Sequence, residues 1–182
     1  MLNFNWKRML GVTIALATLS VPAMADDASD LAAYRKAEAI AKEHLANFDT
    51  LDFDVFNEQQ WDRIKESHSA DVKVYWPDGR VTEGIETHIN DMKYLFSFAP
   101  DTRISEHPVK MADGEWTSVI GVFEGTFTKP MKLADGKEIA PTGKAFKIKM
   151  ATVGHWTEEG TMDEEYLFFD NKAYMDQIGL GQ

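Results

Sequence analysis

The chain has 182 residues, a formal net charge of −11, 44% hydrophobic residues and no cysteine. One domain is the expectation at this length, with a core large enough to stand without staples. The missing cysteines exclude disulfides, thiolate metal ligands and cysteine nucleophiles, and the acidic balance argues against nucleic acid and anionic membranes, both of which call for clustered Lys and Arg.

In chain order, the first 25 residues read as an address. Lys7-Arg8 form a basic start, Met9–Val21 an uncharged apolar run, and Ala23-Met24-Ala25 a small-x-small cleavage site followed by Asp26-Asp27. That order predicts a signal peptide over residues 1–25, cut after Ala25. The apolar run is shorter than the ~20 residues that span a bilayer, so no membrane anchor is expected after cleavage. The destination is then the periplasm or the medium, and residues 26–182 form the single domain.

Leu31, Tyr34, Ala37, Ala41, Leu45 and Phe48 recur every three or four residues and predict one helix stripe. Asn57, with Gln60 three positions on, predicts an N-cap for a short helix presenting Trp61, Ile64 and His68 on one face. A third helix is predicted from about Ile85 to Phe98, faced by Ile89, Met92, Phe96 and Lys93 and ended by Pro100.

Beyond it the punctuation changes to Asp113-Gly114, Asp135-Gly136 and Glu159-Gly160, and Asp78-Gly79 gives the same signal earlier. Asp-Gly pairs suit tight hairpin turns because glycine takes positive φ without a clash. The intervening runs alternate as strands. Val119, Phe123 and Phe127 share one face, and Trp116, Ile120 and Val122 the other. Phe146, Ile148, Met150 and Trp156 share a face opposite Lys147 and Lys149. Met162, Glu164, Tyr166, Phe168 and Asp170 form a third set. Lys129 to Lys144 reads as a long hairpin loop, and a short helix over Asn171–Ile178 closes the chain. Helices first and antiparallel strands after predict an α+β fold, a curved antiparallel sheet covered on one face by the N-terminal helices.

No P-loop, nucleophile elbow, zinc-protease helix or dinucleotide fingerprint occurs. His44, His68, His88, His107 and His155 are scattered at no metal-ligand spacing, so neither a metal nor an organic cofactor is expected. Carboxylates on an apolar strand face are the stronger signal, because desolvation lifts their pKa toward a useful base. Glu164 and Asp170 fall there by alternation. From the residues alone, Asp170, just before Asn171, reads more readily as the cap of the last helix. His155 is an acid–base candidate near neutral pH, although strict alternation turns it away from Phe146 and Met150 unless Gly154 marks a bulge.

Five segments in order, WDRIKESHSADVKVYWPDGRVTEGIETH, FAPD, GEWTSVIGVFEGTF, PTGKAF and EEYLFFDNKAYMDQIGL, resemble the SnoaL-like polyketide cyclases, also called ester cyclases. The resemblance runs from Trp61 to Leu180. It implies the cone-shaped nuclear transport factor 2-like fold, a small-molecule ligand in a pocket between sheet and helices, and a homodimer through the open sheet face. The family's closing Gly-Lys-Ile-x-Glu-x-Trp, with an Asp four residues on, stands here as Gly160 to Tyr166 followed by Asp170. Asp170 would then be the acid–base group of an aldol closure or isomerisation, with His155 as its partner. Glu164, Tyr166, Trp61, Trp76 and Met150 are expected to line the pocket. The alternatives are a non-catalytic periplasmic binding protein and a dimeric scaffold.

Overall fold

The computed structural model describes residues 23–181, so most of the expected signal peptide lies outside the described residues. Helix α1 (Ala23–Thr50) passes directly into a π-helical turn, Leu51–Phe56, and a 3₁₀ turn follows at Trp61–Glu66. Next come β1 (His68–Tyr75), β2 (Val81–Glu83) and α2 (Ile85–Phe98). They are followed by β3 (Arg103–Ile104), β4 (Val109–Asp113), β5 (Trp116–Thr126), β6 (Met131–Lys132), β7 (Glu138–Ile139), β8 (Ala145–Trp156), β9 (Met162–Phe169) and α3 (Asn171–Gln177). No helix among the described residues is long and apolar enough to cross a membrane.

Helix α2 matches its predicted bounds. It starts after Gly84, whose φ of 92° suits glycine, and buries Ile89, Met92 and Phe96. Lys93, expected on that face, is exposed, and His88 holds a buried stripe position instead. The α1 stripe packs only from Leu45 onward. Leu31 (49% exposed) and Tyr34 (69%) touch no core. Asn57 does not open a helix. Its amide exchanges two hydrogen bonds with the backbone of Ile104, at 2.9 and 2.8 Å, and so ties the π turn to β3. His68, expected at a helix end, is the first residue of β1.

The main sheet runs β2-β1-β9-β8-β5-β3, with β4 also on β5. It is mixed rather than antiparallel, because β1 pairs parallel with β9. The expected long loop after Phe127 contains the small β6–β7 ladder. One sheet face packs under α2, α3, the π turn and the end of α1, burying Val119, Phe123, Phe146, Ile148, Trp156 and Met162. Full burial of such side chains is worth about 1.5–3 kcal/mol each. The indole N–H of Trp156 donates to Thr117 Oγ1 at 2.9 Å, so the largest buried side chain leaves no polar atom unpaired.

One irregularity decides which side chains face inward. Between β8 and β9 the register steps from His155↔Glu164 to Trp156↔Met162, leaving an extra residue on β9. A bulge of this kind reverses the alternation beyond it. Met162 points inward, and after the bulge so do Glu165, Leu167 and Phe169. Glu164, Tyr166 and Phe168 are turned to the outer face.

Candidate functional site

A cavity of about 330 Å³ lies between the inner sheet face and the helices. Its walls are largely apolar, with Leu51, Phe56, Met92, Phe123 and Leu167 among them. Exposed Asp78 and Arg80 stand at its rim, where the Arg80 guanidinium lies 4.9 Å from the Trp76 ring and 2.8 Å from Asp78. Such a cavity, apolar with a few placed polar groups, is the usual form of a small-molecule site.

Two clusters of buried acid and imidazole side chains reach it. Asp52 is buried on the π turn, a form of helix often found at functional sites. Its Oδ2 lies 2.7 Å from His107 Nε2, and His107 Nδ1 lies 2.8 Å from Asp49, which also pairs with Lys110. Burial pushes the Asp52 carboxyl above its ordinary value, although His107 opposes the rise. Burial would lower His107, yet hydrogen bonds to Asp52 and Asp49 hold it above the usual imidazole value. Burial would raise Asp49, but Lys110 and His107 keep it low.

The second group joins three elements: His68 from β1, His88 from α2 and Glu165 from β9, all buried. Glu165 Oε2 lies 3.3 Å from His88 Nε2 and 3.8 Å from His68 Nε2. Burial lowers His88 to about 4, so it is neutral at pH 7. Burial would raise Glu165, but His88 first and then His68 draw it below its ordinary value.

A family model for SnoaL-like polyketide cyclase matches residues 49–178. The chain belongs to the SnoaL-like polyketide cyclase family. Its fold is shared with a proposed SnoaL-like cyclase from Jannaschia sp. CCS1 (20% identity, 76% of this chain and 93% of that one, TM-score 0.66). It is also similar to IdmH, a proposed polyketide cyclase from Streptomyces antibioticus (18%, 75% and 98%, TM-score 0.62). A third likeness is to a protein of ketosteroid isomerase-like fold from Catenulispora acidiphila in complex with trimethylamine (12%, 75% and 92%, TM-score 0.57). No protein of curated function matches this SnoaL-like chain in sequence.

The residues expected from sequence divide sharply. Trp76 and Met150 line the cavity. Trp61 does not; its ring packs edge-on against Phe96 at 5.5 Å. Glu164 and Tyr166 face outward because of the bulge. The Tyr166 hydroxyl donates to Glu164 at 2.5 Å, which pushes the phenol up, and its ring stacks on Tyr75 at 4.2 Å. His155 also lies on the outer face, 2.6 Å from Asp163 and 4.7 Å from the Trp116 ring. Asp163 and then Glu115 hold it above its ordinary value.

Asp170 is exposed and caps α3, accepting from Ala173 N at 2.9 Å. Its neighbour Asn171 lines the cavity and Asp170 does not. The acid–base assignment of Asp170 and His155 is therefore corrected: one carboxylate is engaged by a helix end, and the imidazole is on the wrong side of the sheet. Asp52, His107, His68, His88 and Glu165 were not singled out. Only His88 left a clear trace, as a titratable residue within the α2 apolar stripe.

Proposed function

We propose that this chain binds a small, largely apolar, carbonyl-bearing molecule in the cavity and catalyses proton transfer on it, as in cyclisation or isomerisation, with Asp52 as the general base. The observation that carries this is the Asp52 carboxylate. It is buried at the cavity wall, and its one side-chain hydrogen bond among the described residues is to His107. A raised carboxylate in an apolar site is suited to taking a proton from carbon between two carbonyls, because the resulting charge spreads over the substrate. His107 is a positioning residue. It holds one oxygen of Asp52 and leaves the other for the reacting carbon. Family membership and the shape of the cavity support the same reading.

The test is deuterium exchange at the central carbon of aryl 1,3-diketones and ketoesters, followed by NMR. The wild-type chain is expected to accelerate exchange, and Asp52→Asn to reduce it by about 10²-fold or more, the usual contribution of a general base. Asp170→Asn is expected to leave the rate unchanged. Tight binding of the diketones without any exchange would replace the enzyme with a binding protein.

Export is part of the proposal. It rests on Lys7-Arg8, the apolar run Met9–Val21 and Ala23-Met24-Ala25. N-terminal sequencing of the protein from a periplasmic fraction should begin at Asp26; a chain retained in the cytoplasm with Met1 intact would remove this element. Dimerisation through the outer sheet face also stands as a proposal, supported by exposed Trp116 (44%) and Phe168 (56%). Sedimentation of the purified chain tests it, and a monomer at all concentrations would count against it.

A further inference from the structure

We infer that His68, His88 and Glu165 form a binding site for one divalent first-row transition metal ion, with an open coordination position toward the cavity. The inference rests on the same cavity as the proposed function and deepens it.

Ser67 Oγ lies 3.0 Å from His68 Nδ1 and 3.1 Å from Ile64 O, so the Nδ1 side of the ring has a partner. His68 Nε2 is fully buried, has no hydrogen-bond partner among the described residues and lies 3.8 Å from Glu165 Oε2, which has none either. Two buried polar atoms without partners are costly to leave uncompensated. A hydrogen bond cannot span 3.8 Å, because such bonds end near 3.2 Å.

A metal ion fits where a proton does not. Ions of the zinc type sit about 2.0–2.2 Å from imidazole nitrogen and carboxylate oxygen, which places tetrahedral ligands roughly 3.4 Å apart. Glu165 Oε2 lies 3.3 Å from one imidazole nitrogen and 3.8 Å from the other. One ligand atom from each of the three residues lies within 4.8 Å of the others. Two imidazoles and one carboxylate suit zinc and its neighbours rather than magnesium or calcium, which prefer all-oxygen shells. Ser67 supplies the outer hydrogen bond that orients a ligating histidine. All three side chains line the cavity, so a fourth position is available to water or to a substrate oxygen.

The ion would complete the proposed chemistry. When the carbon–hydrogen bond breaks, the proton goes to Asp52 and the electron pair delocalises onto the carbonyl oxygen. Glu165 alone would repel that oxygen; a bound divalent ion reverses the local sign and holds the charge.

The test uses the purified chain, stripped with dipicolinate. Zn(II) binding is followed by calorimetry, and Co(II) binding by the visible absorption of its low-symmetry complexes. One ion per chain is expected, with imidazole-type Co(II) bands. Removing an outer-shell partner typically weakens such sites 10–100-fold. Glu165→Gln and His88→Gln, each removing a direct ligand, should weaken binding by about 100-fold or more while circular dichroism shows an intact fold. Asp52→Asn should bind as the wild type does. No Zn(II) binding by the wild type, or equal binding by the folded variants, would overturn the site. Asp52-dependent exchange by a chain that binds no metal would leave the proposed function standing. One tightly bound ion without any exchange would leave the site standing and remove that function.

Discussion

Both nitrogens of His107 face carboxylate oxygens, so the chain Asp49–His107–Asp52 is fully bonded only when the imidazole carries two protons. Its folded-state affinity for protons is raised above the ordinary 6.5. Such a group contributes fully below about pH 6.5 and loses its contribution as pH rises through the raised value. Asp52, also raised, acts in the same sense at its own pKa, while Asp49, lowered, loses its contribution only in acid. The groups facing this chain are Lys110 beside Asp49, and Glu165 and His68 near Asp52. The melting temperature should therefore fall as pH rises above about 6.5, and His107→Gln should flatten that fall. His107→Ala should lower stability by about 3–5 kcal/mol, because it strips a buried carboxylate of its partner. A flat wild-type profile would contradict the doubly protonated imidazole. None of this was legible in the sequence. Asp52 and His107 are 55 positions apart, and only the fold joins them. The sequence did mark Trp76 and Met150, because long apolar side chains on a strand or beside a turn are visible as such.

The bulge at the start of β9 shows how one element decides which residues can do chemistry. Alternation from Met162 selected Glu164, and the extra residue moved the inward position to Glu165. Period-two patterning holds well along β5 and β8, where eleven residue pairs run in unbroken register from Trp116↔His155 to Thr126↔Ala145, and it fails at the β8–β9 slip. Gly154, suspected of marking a bulge, has a different role. A Cβ there would collide with Met162 Sδ and lie 3.2 Å from Thr117 Oγ1. Its bareness lets β9 start against β8. Gly154→Ala should lower stability by about 1–3 kcal/mol through overpacking, measured by urea unfolding. If the variant unfolds at the wild-type midpoint, Met162 has room to yield and the close approach is unimportant. Helix α2 was readable to its ends because Gly84 and Pro100 bracket a clean stripe. The π turn was not, since its backbone bonds, such as Asn57 N to Asp52 O at 3.2 Å, leave no sequence period.

At the scale of the whole molecule, the part that packs begins late. No side chain described before Ile40 is buried, whereas Phe48 is 1% exposed. A chain starting at Ala41 should unfold within about 0.5 kcal/mol of one starting at Asp26, as expected for removal of surface residues. A large loss would show that Leu31 and Tyr34 pack on something. The α+β layering was readable from the order of elements, but the sheet's central pairing was not. β1 comes before every other strand and β9 after all of them, yet they lie side by side and parallel. That pairing has a consequence for how the protein comes to exist. Contacts between distant segments form slowly, because the intervening loop must be closed before they stabilise anything. The β1–β9 seam cannot close until nearly the whole chain has been made. His68 and His88 are synthesised early, and Glu165 arrives only with the last strand. An emerging chain therefore has neither a cavity wall nor a complete trio until β9 is made and pairs with β1.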